Sequence, residues 1–128
     1  MTYPKKIDAL VVERDTMVAQ AIQKILEDRD YAVTLLSKEA DARRVLKESH
    51  ISLVVAGEAE DSASPFHIMK EIVMASPLTS TILITDLSKE AVEQEAEGYG
   101  ILGHVSRAIR REEMVSLLES FEQILSAF

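Results

Sequence analysis

Several residue types and segments that carry common protein chemistry are missing from this chain. Its 128 residues include no cysteine, which excludes disulfide bonds, thiolate metal ligands and thiol nucleophiles. No apolar run approaches the roughly 18 residues that cross a bilayer, and no signal-peptide core follows the lysines near the N-terminus. We therefore expect a cytoplasmic protein that does not enter a membrane.

Positive charge is also scarce. The chain has 14 lysines and arginines against 22 acidic residues, a net charge of −8, and this balance argues against direct binding to nucleic acid. None of its 4 glycines forms a phosphate-binding loop after the first predicted strand, and no Ser/His/Asp set suggests nucleophilic catalysis. His50 and His67 stand apart from other metal ligands in the sequence. We expect no enzyme activity and no zinc.

The pattern that is present is a fivefold alternation of apolar strands and amphipathic helices. Length and composition indicate one domain over residues 1–128. Thr16 and Ser37 are candidate caps for the first two helices. The predicted strands are Ile7–Val12, Tyr31–Leu36, Ile51–Ala56, Thr81–Thr85 and His104–Ser106. The predicted helices follow Thr16 and Ser37, surround Phe66–Val73, and span Ser88–Glu97 and Glu112–Phe128.

This alternation predicts an α/β fold with a five-stranded parallel sheet and helices on both faces. We expect the doubly wound, flavodoxin-like (βα)5 sandwich with strand order 2-1-3-4-5. In that order, sites form beyond the carboxyl ends of strands one, three and four. Those ends read Glu13-Arg14-Asp15, Gly57-Glu58 and Thr85-Asp86.

The strand Leu10–Val12, the acids around Arg14 and the strand that ends at Gly57 together resemble a known family. They are similar to the receiver domain of bacterial two-component response regulators. In that family an acidic pair after the first strand binds Mg²⁺, and an aspartate at the end of the third strand accepts a phosphoryl group. Glu13 keeps one acid of the pair, Arg14 replaces the other, and Gly57 stands at the phosphoacceptor position.

The resemblance extends to three more positions. Thr85 matches the hydroxyl residue that bonds the phosphoryl group, and Arg107 matches the lysine that pairs with it. His104 matches the aromatic residue that changes rotamer on activation. The resemblance therefore implies a degenerate receiver, or pseudo-receiver, whose phosphorylation pocket is Glu13, Arg14, Gly57, Thr85 and Arg107.

Without an acceptor aspartate, signalling through this fold would depend on binding. We expect a phosphorylation-independent module of a phosphorelay that acts through a protein partner: a histidine kinase, an effector domain, another regulator or a second copy of the chain. In receivers, the fourth helix, fifth strand and fifth helix form the usual partner surface. The candidate interface residues there are Tyr99, Ile101, Leu102, Phe121 and Phe128.

Alternatives remain at the pocket. Arg14 is expected to pair with Glu13, Glu58 or Asp86 and so to fill the space of the metal, whereas Glu13 and Glu58 together could keep a residual Mg²⁺ site. Otherwise we expect no cofactor. Glu58 could replace the lost acceptor, or the vacated pocket could sense a small ligand or anion.

Arg107 near the pocket could bind an anion through its planar fork, but we expect it instead to form a surface salt bridge within a charged cluster. The other members of that predicted cluster are Arg110, Arg111, Glu112 and Glu113.

Overall fold

The computed structural model describes residues 6–127. Within this range the chain forms five strands and five helices in strict alternation. The strands are β1 (Ile7–Val12), β2 (Tyr31–Leu36), β3 (Leu53–Ala56), β4 (Ser80–Ile84) and β5 (Gly103–Val105). The helices are α1 (Thr16–Asp28), α2 (Glu39–Glu48), α3 (Pro65–Ala75), α4 (Lys89–Glu95) and α5 (Arg111–Ser126).

All neighbouring strands are parallel, and the sheet order is β2-β1-β3-β4-β5. The predicted fold class is therefore confirmed. The register pairs Val12 with both Leu36 and Ala56, so β1, β2 and β3 end at the same level. The residues that follow β1 and β3 consequently meet at one edge of the sheet.

The core lies in two layers because the central strands bury both faces. One layer joins β1, β3 and β4 to α1 and α5, with Phe121 of α5 fully buried and stacked on Tyr31. The other layer packs the opposite face against α2, α3 and α4. Because the strands are packed on both faces, their carboxyl ends have defined positions. The loops that follow the strands therefore begin at defined positions along the edge of the sheet.

The helix caps differ from those predicted. Asp15, not Thr16, caps α1, since its carboxylate accepts hydrogen bonds from the backbone of Met17 and Val18. Lys38 rather than Ser37 is the N-cap of α2 and gives no side-chain bond. The carboxylate of Asp61 accepts from the first two amides of α2 instead.

Strand boundaries moved by one or two residues. β3 begins at Leu53 instead of Ile51, and β5 begins at Gly103. Within residues 6–127, the helices fall short of the length and apolarity that crossing a bilayer requires. Phe128 lies outside the described residues.

Candidate functional site

The space in front of Gly57 is already occupied. Gly57 follows β3 and donates its backbone N–H to the carbonyl of Val12 at 2.9 Å. A Cβ atom added to Gly57 would collide with Oε1 of Glu13 and would lie 3.3 Å from Nη1 of Arg107. Any residue other than glycine would have to displace this carboxylate.

Glu13 and Arg107 form a bidentate ion pair in this space. Arg107 Nη1 donates to Oε1 of Glu13 at 2.8 Å, and Nη2 donates to Oε2 at 2.9 Å. The Glu13 side chain is 0% exposed and that of Arg107 is 21% exposed. The planar guanidinium matches a carboxylate with two parallel bonds, which is the strongest common form of this pairing.

The Glu13 carboxylate also accepts two backbone hydrogen bonds. The amide of Glu58 donates to Oε1 at 3.0 Å, and the amide of Asp15 donates to Oε2 at 2.8 Å. Burial raises the pKa of Glu13, but the bonds from Arg107 and the two amides outweigh burial and hold that pKa below its ordinary value. Glu13 is therefore an ionised carboxylate that the protein itself satisfies.

Asp86 fixes the backbone that carries Arg107. Its Oδ1 accepts the N–H of Arg107 at 2.9 Å and the hydroxyl of Ser106 at 2.8 Å. The Ser106 hydroxyl in turn accepts the N–H of Ala108 at 3.1 Å. These three bonds hold the turn after β5 so that the Arg107 side chain extends toward the end of β1.

The prediction that Arg107 joins a surface cluster was wrong. The loop held by Asp86 directs Arg107 to Glu13, and Glu112 and Glu113 are exposed in the first turn of α5. Arg111 pairs with Asp28 of α1 at 3.2 Å. An arginine side chain is long enough to reach either the acids of α5 or Glu13. We attribute the observed pairing to the burial of Glu13, whose carboxylate needs a cation.

Arg14 pairs with one of its three predicted partners. Its Nη2 donates to Oε2 of Glu58 at 3.0 Å, and the same oxygen lies 3.8 Å from Nη2 of Arg107. The Arg14 side chain is 49% exposed, so it covers the pocket from outside. Arg107, and not Arg14, fills the interior.

Thr85 follows β4 and is buried, and its hydroxyl accepts the N–H of Leu87 at 3.3 Å. A cleft of about 470 Å³ lies beside the ion pair and is lined by Thr85, Arg107, Glu58, Phe66 and Leu87. The structure therefore brings Glu13, Gly57, Thr85 and Arg107 to one edge of the sheet. His104 lies apart from them, half-buried on β5.

The donor set at this edge does not suit Mg²⁺. An ionised carboxylate has about four lone-pair sites on its two oxygens, and Glu13 uses them for four protein donors. Asp15 is committed to the cap of α1, and Arg14 adds a cation. A magnesium ion would have to displace Arg107 to gain a carboxylate oxygen of Glu13.

A family model described as the response regulator receiver domain matches residues 9–119. The chain belongs to this family. The receiver domain of this chain superimposes with a TM-score of 0.81 on a CheY-like response regulator receiver domain protein from Methanospirillum hungatei JF-1, at 13% identity, covering 97% of this chain and 100% of that one.

Two other relatives are similar. The signal receiver domain of an HD domain-containing protein from Pseudomonas fluorescens Pf-5 gives a TM-score of 0.82 at 18% identity, covering 99% of this chain and 94% of that one. A protein of Porphyra purpurea named "Probable transcriptional regulator ycf29" is 22% identical over 113 residues, covering 87% of this chain and 54% of the relative. This receiver domain thus spans about half the length of that curated relative.

The candidate interface of the receiver domain is only partly accessible. Phe121 is 1% exposed and belongs to the core, so its assignment to a partner surface was wrong. Tyr99, Ile101 and Leu102 are half-buried and pack at the edges of the two core layers. Ile101, Leu102 and His104 also line a groove of about 410 Å³ between α4 and β5.

The description of His67 as isolated was also wrong. Its Nδ1 lies 2.8 Å and 3.0 Å from the two carboxylate oxygens of Glu39. The two residues are 28 positions apart and belong to different helices, so no local sequence pattern reports the contact. A weaker signal was available: His67 and Glu71 are spaced one turn apart on α3.

Proposed function

We propose that this receiver domain works without phosphorylation, as a protein-docking module of a two-component system. The observation that carries the proposal is the Glu13 carboxylate, clamped by Arg107, in the space in front of Gly57. Phosphorylation of a receiver requires an acceptor carboxylate, a metal and a free cation. Gly57 supplies no acceptor, and Glu13 neutralises the cation.

The ion pair would also keep the pocket in one conformation without a ligand. A ligand shifts a conformational equilibrium only through different affinity for two states. The carboxylate of Glu13 is already bound to the cation at the position that pairs with a phosphoryl group in the family. We infer that the pocket keeps one conformation and that a partner binds this conformation without prior phosphorylation.

Receiver domains interact with kinases and effector domains, and we infer a protein partner of this kind. The groove between α4 and β5 suits such contact because half-buried, apolar Ile101 and Leu102 lie beside charged Lys89 and Glu93. An apolar centre with a polar rim is the usual anatomy of a protein interface.

The first experiment records two-dimensional amide NMR spectra with and without MgCl₂ plus beryllofluoride. We expect no shift at Glu13, Gly57, Thr85 or Arg107. A receiver that retains its aspartate, run in parallel, verifies that the beryllofluoride is active. Saturable shifts at these four residues would show a rebuilt acceptor site and would overturn the proposal.

A matched variant sharpens this experiment. Arg14→Asp/Gly57→Asp/Arg107→Lys carries the family's residues at three pocket positions. We expect this variant to respond to Mg²⁺ and beryllofluoride while the parent does not. A response of equal size in the parent would mean that the internal ion pair does not close the pocket.

The docking surface is tested by a charge reversal at the groove. Lys89 is exposed, so Lys89→Glu leaves the core intact, and Lys47→Glu on α2 is the matched control. Pull-down from a native lysate with quantitative mass spectrometry should show a partner lost with Lys89→Glu and retained with Lys47→Glu. If the partner is lost equally or retained equally with both variants, the interface does not lie at the groove between α4 and β5.

The cleft beside the ion pair supports a second candidate function, the binding of a small ligand. Apolar Phe66 and Leu87 line it together with polar Thr85 and Arg107, the mixture typical of small-molecule sites. A fragment screen by NMR tests this candidate. Saturable shifts confined to Thr85 and Leu87 would support it, and a screen without such shifts would remove it.

A further inference from the structure

A second cluster of ionisable groups lies between α2 and α3. Glu39 is the first residue of α2, and His67 and Glu71 are one turn apart on α3. Residues four apart share a helix face, so both α3 side chains face the start of α2. One ligand atom from each of the three residues lies within 4.8 Å of the others.

Glu39 is the unusual member of this cluster. Its side chain is 6% exposed, and His67 is the partner of its carboxylate in residues 6–127. A buried carboxylate needs several hydrogen bonds or a cation to offset its lost hydration. The Nδ1 position of an imidazole donates at most one N–H, which leaves most of the acceptor capacity of Glu39 available to a cation.

We propose that Glu39, His67 and Glu71 bind Zn²⁺ and so tie α2 to α3. Zinc is commonly held by imidazole nitrogen and carboxylate oxygen, and three protein ligands leave a fourth position for water. Mg²⁺ and Ca²⁺ prefer all-oxygen sites, so the imidazole selects a zinc-like ion. The site shares no residue with the Glu13–Arg107 pocket.

The geometry requires a small adjustment. Zinc–ligand distances near 2.1 Å in a tetrahedron separate neighbouring ligand atoms by about 3.4 Å. The His67 Nδ1 is 2.8 Å and 3.0 Å from the Glu39 oxygens, so the ring must move outward. The His67 side chain is 57% exposed and has room to do so.

Arg43 competes with the metal for Glu71. Its Nη1 lies 3.6 Å from Oε2 of Glu71, and the two side chains are 45% and 33% exposed. Exposed ion pairs of this kind contribute little, so zinc can replace Arg43 at small cost. Removal of this arginine should therefore strengthen zinc binding.

The test is a titration of the full chain with ZnCl₂, followed by calorimetry and by NMR of the histidine rings. We expect one equivalent to bind saturably and to shift the His67 ring. His67→Ala should weaken binding at least tenfold, while the matched control His50→Ala should leave it unchanged. Equal affinity in the parent and His67→Ala, or a silent His67 ring, would overturn the proposal.

Two further variants keep the result decisive if His67→Ala is poorly folded. Glu71→Gln preserves shape on a partly exposed position and should weaken zinc binding, whereas Arg43→Gln should tighten it. Zinc should also raise the unfolding midpoint of the parent more than that of Glu71→Gln, because a ligand stabilises the fold that binds it. An unchanged affinity in both variants would exclude the site.

Discussion

Two arginine–glutamate pairs in this receiver domain have the same chemistry and different surroundings. Arg107 binds both carboxylate oxygens of Glu13 through Nη1 and Nη2, and Arg29 binds both oxygens of Glu122 of α5 through Nε and Nη2. The Glu13 side chain is 0% exposed, whereas that of Glu122 is 30% exposed. Water can replace Arg29 at the second pair but cannot reach Glu13 at the first.

The third partners of the two pairs differ as well. Glu13 is bonded by two backbone amides, whose donors remain after any substitution except proline, whereas Glu122 accepts the hydroxyl of Tyr31 at 2.9 Å. The bonds from Arg29 lower the pKa of Glu122 against the effect of burial. From this comparison we expect that access of water to the carboxylate, and not pairing geometry alone, determines how much each ion pair contributes to stability.

The largest effect is expected from Arg107→Met. Because a buried carboxylate loses its cation, we expect the free energy of unfolding to fall by about 3 kcal/mol. Urea unfolding monitored by circular dichroism measures the change. A loss no larger than that of an exposed ion pair would show that water already solvates Glu13.

The same variant has a pH signature. The pKa of Glu13 in the folded parent lies below its ordinary value, so the stability it contributes is present above that ordinary value and is lost as pH falls through the folded-state pKa. Without Arg107 the largest cause that lowers the pKa of Glu13 is lost, so this pKa rises. The difference in stability between the parent and Arg107→Met should therefore shrink as pH falls through the range in which Glu13 becomes protonated.

Gly57→Ala should have the next largest effect. The added methyl group collides with Glu13 Oε1, and overpacking of a tight site costs about 2 kcal/mol. Chemical denaturation measures this cost. In the background Glu13→Ala the methyl group has room, so the same substitution should become nearly neutral; an undiminished cost there would place the clash elsewhere.

Arg29→Met tests the more exposed pair and should be milder. Glu122 keeps the Tyr31 hydroxyl and gains water, so we expect a loss of about 1 kcal/mol. Thermal unfolding of this variant beside Arg107→Met gives the comparison directly. Equal losses in the two variants would contradict the role assigned to burial.

Arg14→Gln should have the smallest effect. Arg14 and Glu58 are 49% and 32% exposed, and surface ion pairs contribute up to about 1 kcal/mol. We expect a change near the detection limit of denaturant unfolding. A loss comparable to that of Arg107→Met would mean that Arg14 supports the buried pair through Glu58.

The sequence predicted the fold well because its strands are apolar runs that are buried on both faces. Leu10–Val12 and Val54–Ala56 carry no polar residue, so their strand character and central position followed directly. The shared edge of the sheet then placed Glu13, Gly57 and Thr85 together. The family resemblance, carried by these same residues, is confirmed.

The occupant of the pocket could not be predicted in this way. Arg107 reaches Glu13 because Asp86 binds the backbone of its loop, a contact across 21 residues that leaves no periodic pattern. The Glu39–His67 contact joins two different helices and likewise leaves no periodic pattern in the sequence. Where a long side chain has several possible partners, burial and loop geometry determine which partner it binds. Both are properties of the folded chain and cannot be read from a local sequence pattern.

The Glu13–Arg107 pair has a kinetic consequence. It joins residues 94 positions apart, and Arg107 follows β5, the last strand of the sheet. The pair can form only after β5 has docked, so we expect it to be absent from the folding transition state. Contacts of this type slow unfolding and leave the rate of folding nearly unchanged. We therefore expect the carboxylate that fills the pocket to lengthen the lifetime of each folded molecule.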